Sequence, residues 1–300
     1  MSLTFRRGTP DDASATLNVF AHSLADFNQR FRGPQDAWAD PAVIITALDH
    51  SPLFDHLART ADQWWVAEDA GDVVGYARSI LRAGTRDLTD FFVLPDRQSA
   101  GIGRELLARA FSPDGVRHRV VLATPDMRAQ IRYLKSGVYP RFPFRRFWCK
   151  PEAVRVDTDL TIRPVATTPE TLAALRRIDQ AVLDYTRDAD HAFLLRDQQG
   201  YLYERGAEVV GYGYVGNDAA GPIALLNAAD FPAVLAHTER EVAGRGAASI
   251  GLQIPLINQT AVRYVLERNY RVDDVPLYCM SDTPFGKLDQ YIVVSMPMFL

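Results

Sequence analysis

Two stretches of this chain, 136 positions apart, read Glu68-Asp-Ala-Gly-Asp-Val-Val-Gly-Tyr76 and Glu204-Arg-Gly-Ala-Glu-Val-Val-Gly-Tyr212. Further echoes flank them in the same order. Leu160-Thr-Ile-Arg163 follows Leu3-Thr-Phe-Arg6; Asn258-x-x-Ala261 with Asn269-Tyr270 follows Asp126-x-x-Ala129 with Gly137-Val138; Leu277-Tyr278-Cys279 follows Phe147-Trp148-Cys149. Four matches in one order mean one folding unit used twice, which fixes most of the architecture. The polar stretch 151–159 separates the copies, predicting domains at 1–152 and 158–300.

Each copy mixes both periodicities. In the first, Leu3–Arg6 is a strand, and Thr9-Pro10-Asp11-Asp12 starts a helix running through Ala13–Phe31. Pro41–Thr60 is a second helical region, broken at Ser51-Pro52. Trp64–Glu68 and Val73–Leu81 are strands joined by the tight turn at 69–72. Leu88–Leu94 is the next strand, a helix begins near Gly101, and Arg119–Ala123 is a further strand. Asp126–Ser136 is a helix stopped by Gly137, and Arg145–Cys149 is the last strand of the copy. The fold class is α/β (α+β, with a mixed sheet).

Between the fourth strand and its helix lies Val93-Leu-Pro-Asp-Arg-Gln98-Ser-Ala-Gly101-Ile-Gly103. Two glycines there permit positive φ and close backbone approach, and successive N–H groups at a helix start suit an anion. Position 106 is Leu, so this is not the dinucleotide fingerprint, and no Gly-Lys-Ser/Thr follows as in a P-loop. The order of aromatic strand, Val-Leu-Pro and Gly-x-Gly resembles the acyl-CoA-binding motif of the GCN5-related N-acetyltransferases (GNAT). The element order resembles that family too. The second copy has Leu225–Leu235 instead, with no Gly-x-Gly and with Phe231 and Pro232 in the way. The resemblance therefore implies two tandem acyl-CoA N-acyltransferase (GNAT) domains, the first acetyl-CoA-binding and the second degenerate.

The resemblance also implies a site. Val93 and Leu94 would pair with the pantetheine arm. The amides of Gln98, Ser99, Ala100, Gly101, Ile102, Gly103 and Arg104 would hold the pyrophosphate, with charge added by Arg97 and Arg104. Tyr133 lies in Asp126-x-x-Ala-x-x-x-Tyr133-x-x-x-Gly137, the family's Asn-x-x-Ala-x-x-x-Tyr-x-x-x-Gly pattern, and would be the general acid. Asp126, in place of the family's Asn, would contact the cofactor. Asp87, where histone-type members carry Glu, and Asp90 are the candidate bases. Three positions apart on a strand, they are expected on opposite faces. Val265 stands where the second copy would need Tyr133.

Composition narrows the class. Net charge is −4 with no Lys or Arg run, which argues against nucleic acid or an anionic membrane as a partner. Cys149 and Cys279 give no disulfide framework. The N-terminus has no apolar core of a signal peptide, so a cytoplasmic site is expected. His50 and His56 lack the spacing of a metal site, and none is expected. The implied function is an acetyl-CoA-dependent N-acetyltransferase acting on a small-molecule or peptide amine, as monomer or homodimer. The alternatives are a non-catalytic acetyl-CoA-binding sensor or scaffold, and a small-molecule-binding module.

Overall fold

The computed structural model describes residues 3–98 and 101–293, in two compact units. The first is built from residues 1–139 with 280–283, the second from 140–279 with 284–300. Each unit thus takes in sequence from the other copy.

In the first unit, β1 (Leu3–Arg7) leads into α1 (Ala13–Phe31), α2 (Pro41–Leu48) and α3 (Pro52–Arg59). Asp40 caps α2 by accepting from Ala42 N–H, and prolines open α2 and α3 at the first turn, where no N–H is needed. Then come β2 (Ala61–Asp69), β3 (Asp72–Arg82), β4 (Thr85–Val93), α4 (Ile102–Ala110), β5 (His118–Ala123) and α5 (Met127–Lys135). The strands run in the order β1-β2-β3-β4-β5, antiparallel except for β4 and β5. Phe20 of α1 packs edge-on against Phe92 of β4 and Phe54 of α3, covering one face of the sheet. On the other face, Ser79 donates to the Ala110 carbonyl at the end of α4.

The second unit contains β6 (Tyr139–Cys149, from Pro140), β7 (Thr161–Pro164), α6 (Pro169–Val182), α7 (Asp188–Asp197), β8 (Gln199–Arg205) and β9 (Glu208–Val215). It continues with β10 (Ala220–Leu225), α8 (Phe231–Gly244), β11 (Ile250–Pro255), α9 (Gln259–Glu267), β12 (Arg271–Val272), β13 (Leu277–Ser281, as far as Cys279) and β14 (Tyr291–Ile292). One sheet runs β14-β10-β9-β8-β7. Its core includes Tyr203, Ile223, Leu225, Phe231, Ile250 and Ile254, all buried.

The repeat is visible in backbone detail. The β2–β3 hairpin shifts register between Ala67 and Glu68, and β8–β9 shifts at the matching Tyr203 and Glu204. The glycine after each Val-Val has a reason: a Cβ on Gly75 would lie 3.1 Å from the Phe92 carbonyl oxygen, and one on Gly211 2.8 Å from that of Ala224.

The copies and the units part at different places. The units divide at Tyr139/Pro140, ahead of the polar stretch, because β6 pairs with β11 from Cys149↔Ile250 to Phe144↔Pro255. β6 is longer than its sequence signal, which begins at Arg145; Pro140 and Pro143 mask its start. Residues 152–158 form no strand. Beside β5 in the first unit is the segment Met280–Thr283: Asp282 N–H donates to the Arg119 carbonyl, and its carboxylate accepts from Arg119 N–H and Nε, both at 3.0 Å.

Candidate active site

β4 carries the site because it has two different edges. Toward β3 it is paired from Thr85 through Val93. Toward β5 the pairing covers only Thr85↔His118, Arg86↔Arg119 and Asp87↔Val120. Beyond that point the parallel strands part, and no strand lies between them among the described residues. The free edge runs from Leu88 toward Leu94, leaving main-chain groups to be satisfied from outside. Val93 C=O already accepts from Gln98 Nε2 at 3.1 Å and from Ser23 Oγ of α1 at 3.3 Å.

At the end of that edge, Pro95–Arg97 makes one 3-10 turn and Gly101 caps α4 with φ +83°. Any side chain at 101 would be strained there. The amides of Ile102 and Gly103 open the helix and have no intrahelical acceptor by geometry. A Cβ on Gly103 would lie 3.1 Å from the ring of Phe91. Ser99 and Ala100, expected in the same turn, lie outside the described residues. Arg97 is tied to Asp69 at 2.8 Å, while Arg104 is exposed beside Glu105.

Phe91 joins this turn to Tyr133. The two rings are 5.9 Å apart at an interplanar angle of 57°, so helix start, strand and tyrosine meet on one face of β4. Tyr133 is 5% exposed. Burial first, and then the negative charge of Asp126, raise its pKa well above that of a free phenol. The hydroxyl keeps its proton at neutral pH.

Asp126 is the N-cap of α5, accepting from Arg128 N–H at 3.0 Å. It also accepts from Arg30 of α1 at 2.8 Å and from the Arg128 guanidinium. Partial burial works to raise its pKa, but the hydrogen bonds from Arg128 and Arg30 prevail and hold it at about 2. Its oxygens are thus shared out within the protein before any ligand arrives.

The expected opposition of Asp87 and Asp90 is overturned. Arg78 faces Asp90, while the next residue, Ser79, faces Leu88. Thr89 is therefore an extra residue in β4, a bulge that resets the alternation. Asp87, opposite Ile80, falls on the same face as Asp90, opposite Arg78. Both acids are buried. The Asp90 carboxylate accepts from Tyr76 Oη (3.0 Å), Arg78 Nε (2.8 Å) and Thr89 Oγ1 (2.7 Å). It is the counter-ion of a buried arginine, on the face of β4 away from Phe91 and Tyr133.

Sequence reasoning missed Ser23, Arg30, Tyr76 and Arg78. Tyr76 had a signal, since it closes the repeated Val-Val-Gly-Tyr. Arg30 and Ser23 had none, because their partners lie 96 and 70 positions away.

The free strand edge, the glycine helix start and the buried tyrosine lie together at one face of β4. Residues 60–138 match the family model described as an acetyltransferase (GNAT) domain, a span that holds all three. Similar solved structures extend over nearly the whole chain. A putative acetyltransferase from Pyrococcus horikoshii is 17% identical with a TM-score of 0.68, covering 97% of this chain and 94% of its own. A tandem GNAT protein from the clavulanic acid biosynthesis pathway is 15% identical, with a TM-score of 0.59 and coverage of 94% and 99%. A GCN5-related N-acetyltransferase from Sphaerobacter thermophilus is 13% identical, with a TM-score of 0.59 and coverage of 96% and 98%. At these identities the likeness is one of fold. No curated protein matches the sequence. Residues 60–138 are thus similar to the acetyltransferase (GNAT) domain family, and the chain as a whole shares the fold of these proteins. Among the described residues no helix is long and apolar enough to cross a membrane, and no group of His, Cys, Asp or Glu is arranged to hold a metal ion.

Proposed function

We propose that this protein transfers the acetyl group of acetyl-CoA to the amine of a small molecule or peptide, with the active site on the first unit, where β4 parts from β5. One observation carries the reading: the free edge of β4 ends at the Gly101 helix start, and Phe91 links that start to a protonated, buried Tyr133. The edge at Val93 and Leu94 would bind the extended arm of the donor as an added strand would. The amides of Ile102 and Gly103, and by resemblance those of Gln98, Ser99, Ala100 and Arg104, would hold its phosphates. Acetyl-CoA supplies the activated acyl group.

The chain's residues supply orientation and a proton. Tyr133 Oη is the proton donor for the leaving thiolate, a role that needs the phenol protonated at neutral pH. Asp126 stays ionised and fixes the start of α5, and hence the position of Tyr133 two turns on. Asp90 holds Arg78 and Tyr76 on the opposite face of β4. With both its oxygens taken, it is assigned to shaping that face; Asp87 is buried on the same face, away from Tyr133, so neither acid is assigned as the base and the amine's proton goes to water. Retention of loop and tyrosine together favours an enzyme over a sensor. The test is a panel of amines incubated with acetyl-CoA while free thiol is followed. Turnover with at least one amine, lost in Tyr133→Phe, is expected. Tight CoA binding with no turnover on any amine would overturn the assignment of activity.

A further inference from the structure

In the repeat, β10 and β11 of the second unit correspond to β4 and β5. They too begin together: Gly251 N–H donates to Asp218 C=O at 3.0 Å, and Ala219 and Gly251 form a parallel bridge. They too then part. Here, however, the gap holds a strand of the chain itself. β14 runs antiparallel along β10, with Ile292 opposite Ile223 and Tyr291 opposite Ala224. On its other side, Val293 N–H donates to Gln253 C=O of β11 at 3.1 Å. Tyr291, Ile292 and Val293 have no exposed surface.

Two side chains hold this strand. Asn258, the repeat counterpart of Asp126, donates Nδ2 to Tyr291 C=O at 3.3 Å. Arg187 donates to Tyr291 Oη at 2.7 Å and to Tyr212 Oη at 2.6 Å, with its guanidinium 5.2 Å from the Tyr291 ring centroid. Tyr212 in turn donates to the buried Asp179. Main-chain bonds along both edges, with side chains reading one residue, are the means by which sheets bind an added strand.

We propose that the cleft between β10 and β11 is a strand-binding site, and that its resident ligand is residues 291–293 of this chain. The tether keeps the local concentration of that ligand far above that of any competitor in solution. The consequence for the acyl donor, that this cleft is closed to it, rests on the function proposed above; the strand-binding site itself does not.

The test uses the full chain and two variants. Val293→Pro removes the N–H given to Gln253; Tyr291→Phe removes the acceptor used by Arg187 and keeps the ring. Amide hydrogen exchange is expected to rise about tenfold at 223–225, 251–254 and 291–293, and to stay within about twofold elsewhere in the unit. A labelled peptide of residues 287–296 should bind either variant saturably, with neither binding to the wild type nor binding of a scrambled peptide. Unchanged exchange in folded variants, acceleration spread evenly over the unit, or failure of the peptide to bind would each overturn the proposal. If Val293→Pro does not fold, Tyr291→Phe decides by the same readings. None of these readings involves acetyl transfer, so they stand or fall apart from the proposed activity.

Discussion

Phe91 and Tyr133 are 42 positions apart in sequence, yet their rings lie 5.9 Å apart. The contact sets a phenol beside the one edge of β4 that has no strand partner among the described residues. It also explains Gly103, whose Cβ the same ring would crowd.

Tyr133→Phe keeps this ring contact and removes the proton. The expected result is a kcat lower by about 10²–10⁴-fold, the usual range for a lost general acid, with KM for acetyl-CoA little changed. Steady-state kinetics with the acceptor found in the amine panel measure it.

Gly101→Trp should abolish CoA binding. It places a bulky side chain at φ +83°, at a backbone cost of about 1–2 kcal/mol, in space the phosphates would use. Calorimetry on the wild type should give one CoA per chain, since Phe231 and Pro232 stand where the second copy would need glycines.

Asp90→Ala should be strongly destabilising. Arg78 and Asp90 have side-chain exposures of 3% and 0%, and removing one member of a buried pair typically costs about 3–5 kcal/mol. Chemical denaturation reads this directly. A drop in stability well below 1 kcal/mol would refute the buried-pair account.

Asp126 predicts an acid-side dependence. Its pKa is lowered from the ordinary 3.8 to about 2, so the folded state favours the ionised form. The stability it contributes is present above pH 3.8 and is lost as pH falls toward about 2. Asp126→Asn should therefore fall below the wild type in melting temperature near pH 6 and approach it near pH 2.

Asp282→Ala should destabilise the first unit, although the residue is far along the second copy. It removes the acceptors used by Arg119 N–H and Nε, at an expected cost of about 1–3 kcal/mol. Thermal melting read by exchange in residues 61–123 would localise the loss.

Much of the fold was legible because it rests on local pattern. α1 has the bounds its apolar spacing gives, Ala13–Phe31, and the 69–72 turn sits inside the hairpin that its residues specify. The glycine turn at the start of α4 and the helix that carries Tyr133 could likewise be read. The faces of Asp87 and Asp90 could not. One extra residue at Thr89 reverses the alternation, and a bulge is a property of two paired strands that no single strand records.

What the sequence determined by itself was the repeat, the element order, and the contrast between a copy with Gly101, Gly103 and Tyr133 and a copy with Phe231, Pro232 and Val265. Short-range periodicity and steric preference suffice for these. Only the tertiary structure decided that Met280–Thr283 lies with the first unit, that Tyr291–Val293 fills the cleft of the second, and that Asp90 serves Arg78. Each depends on which main-chain edges and buried charges find partners far away in the chain, and that choice is made by packing.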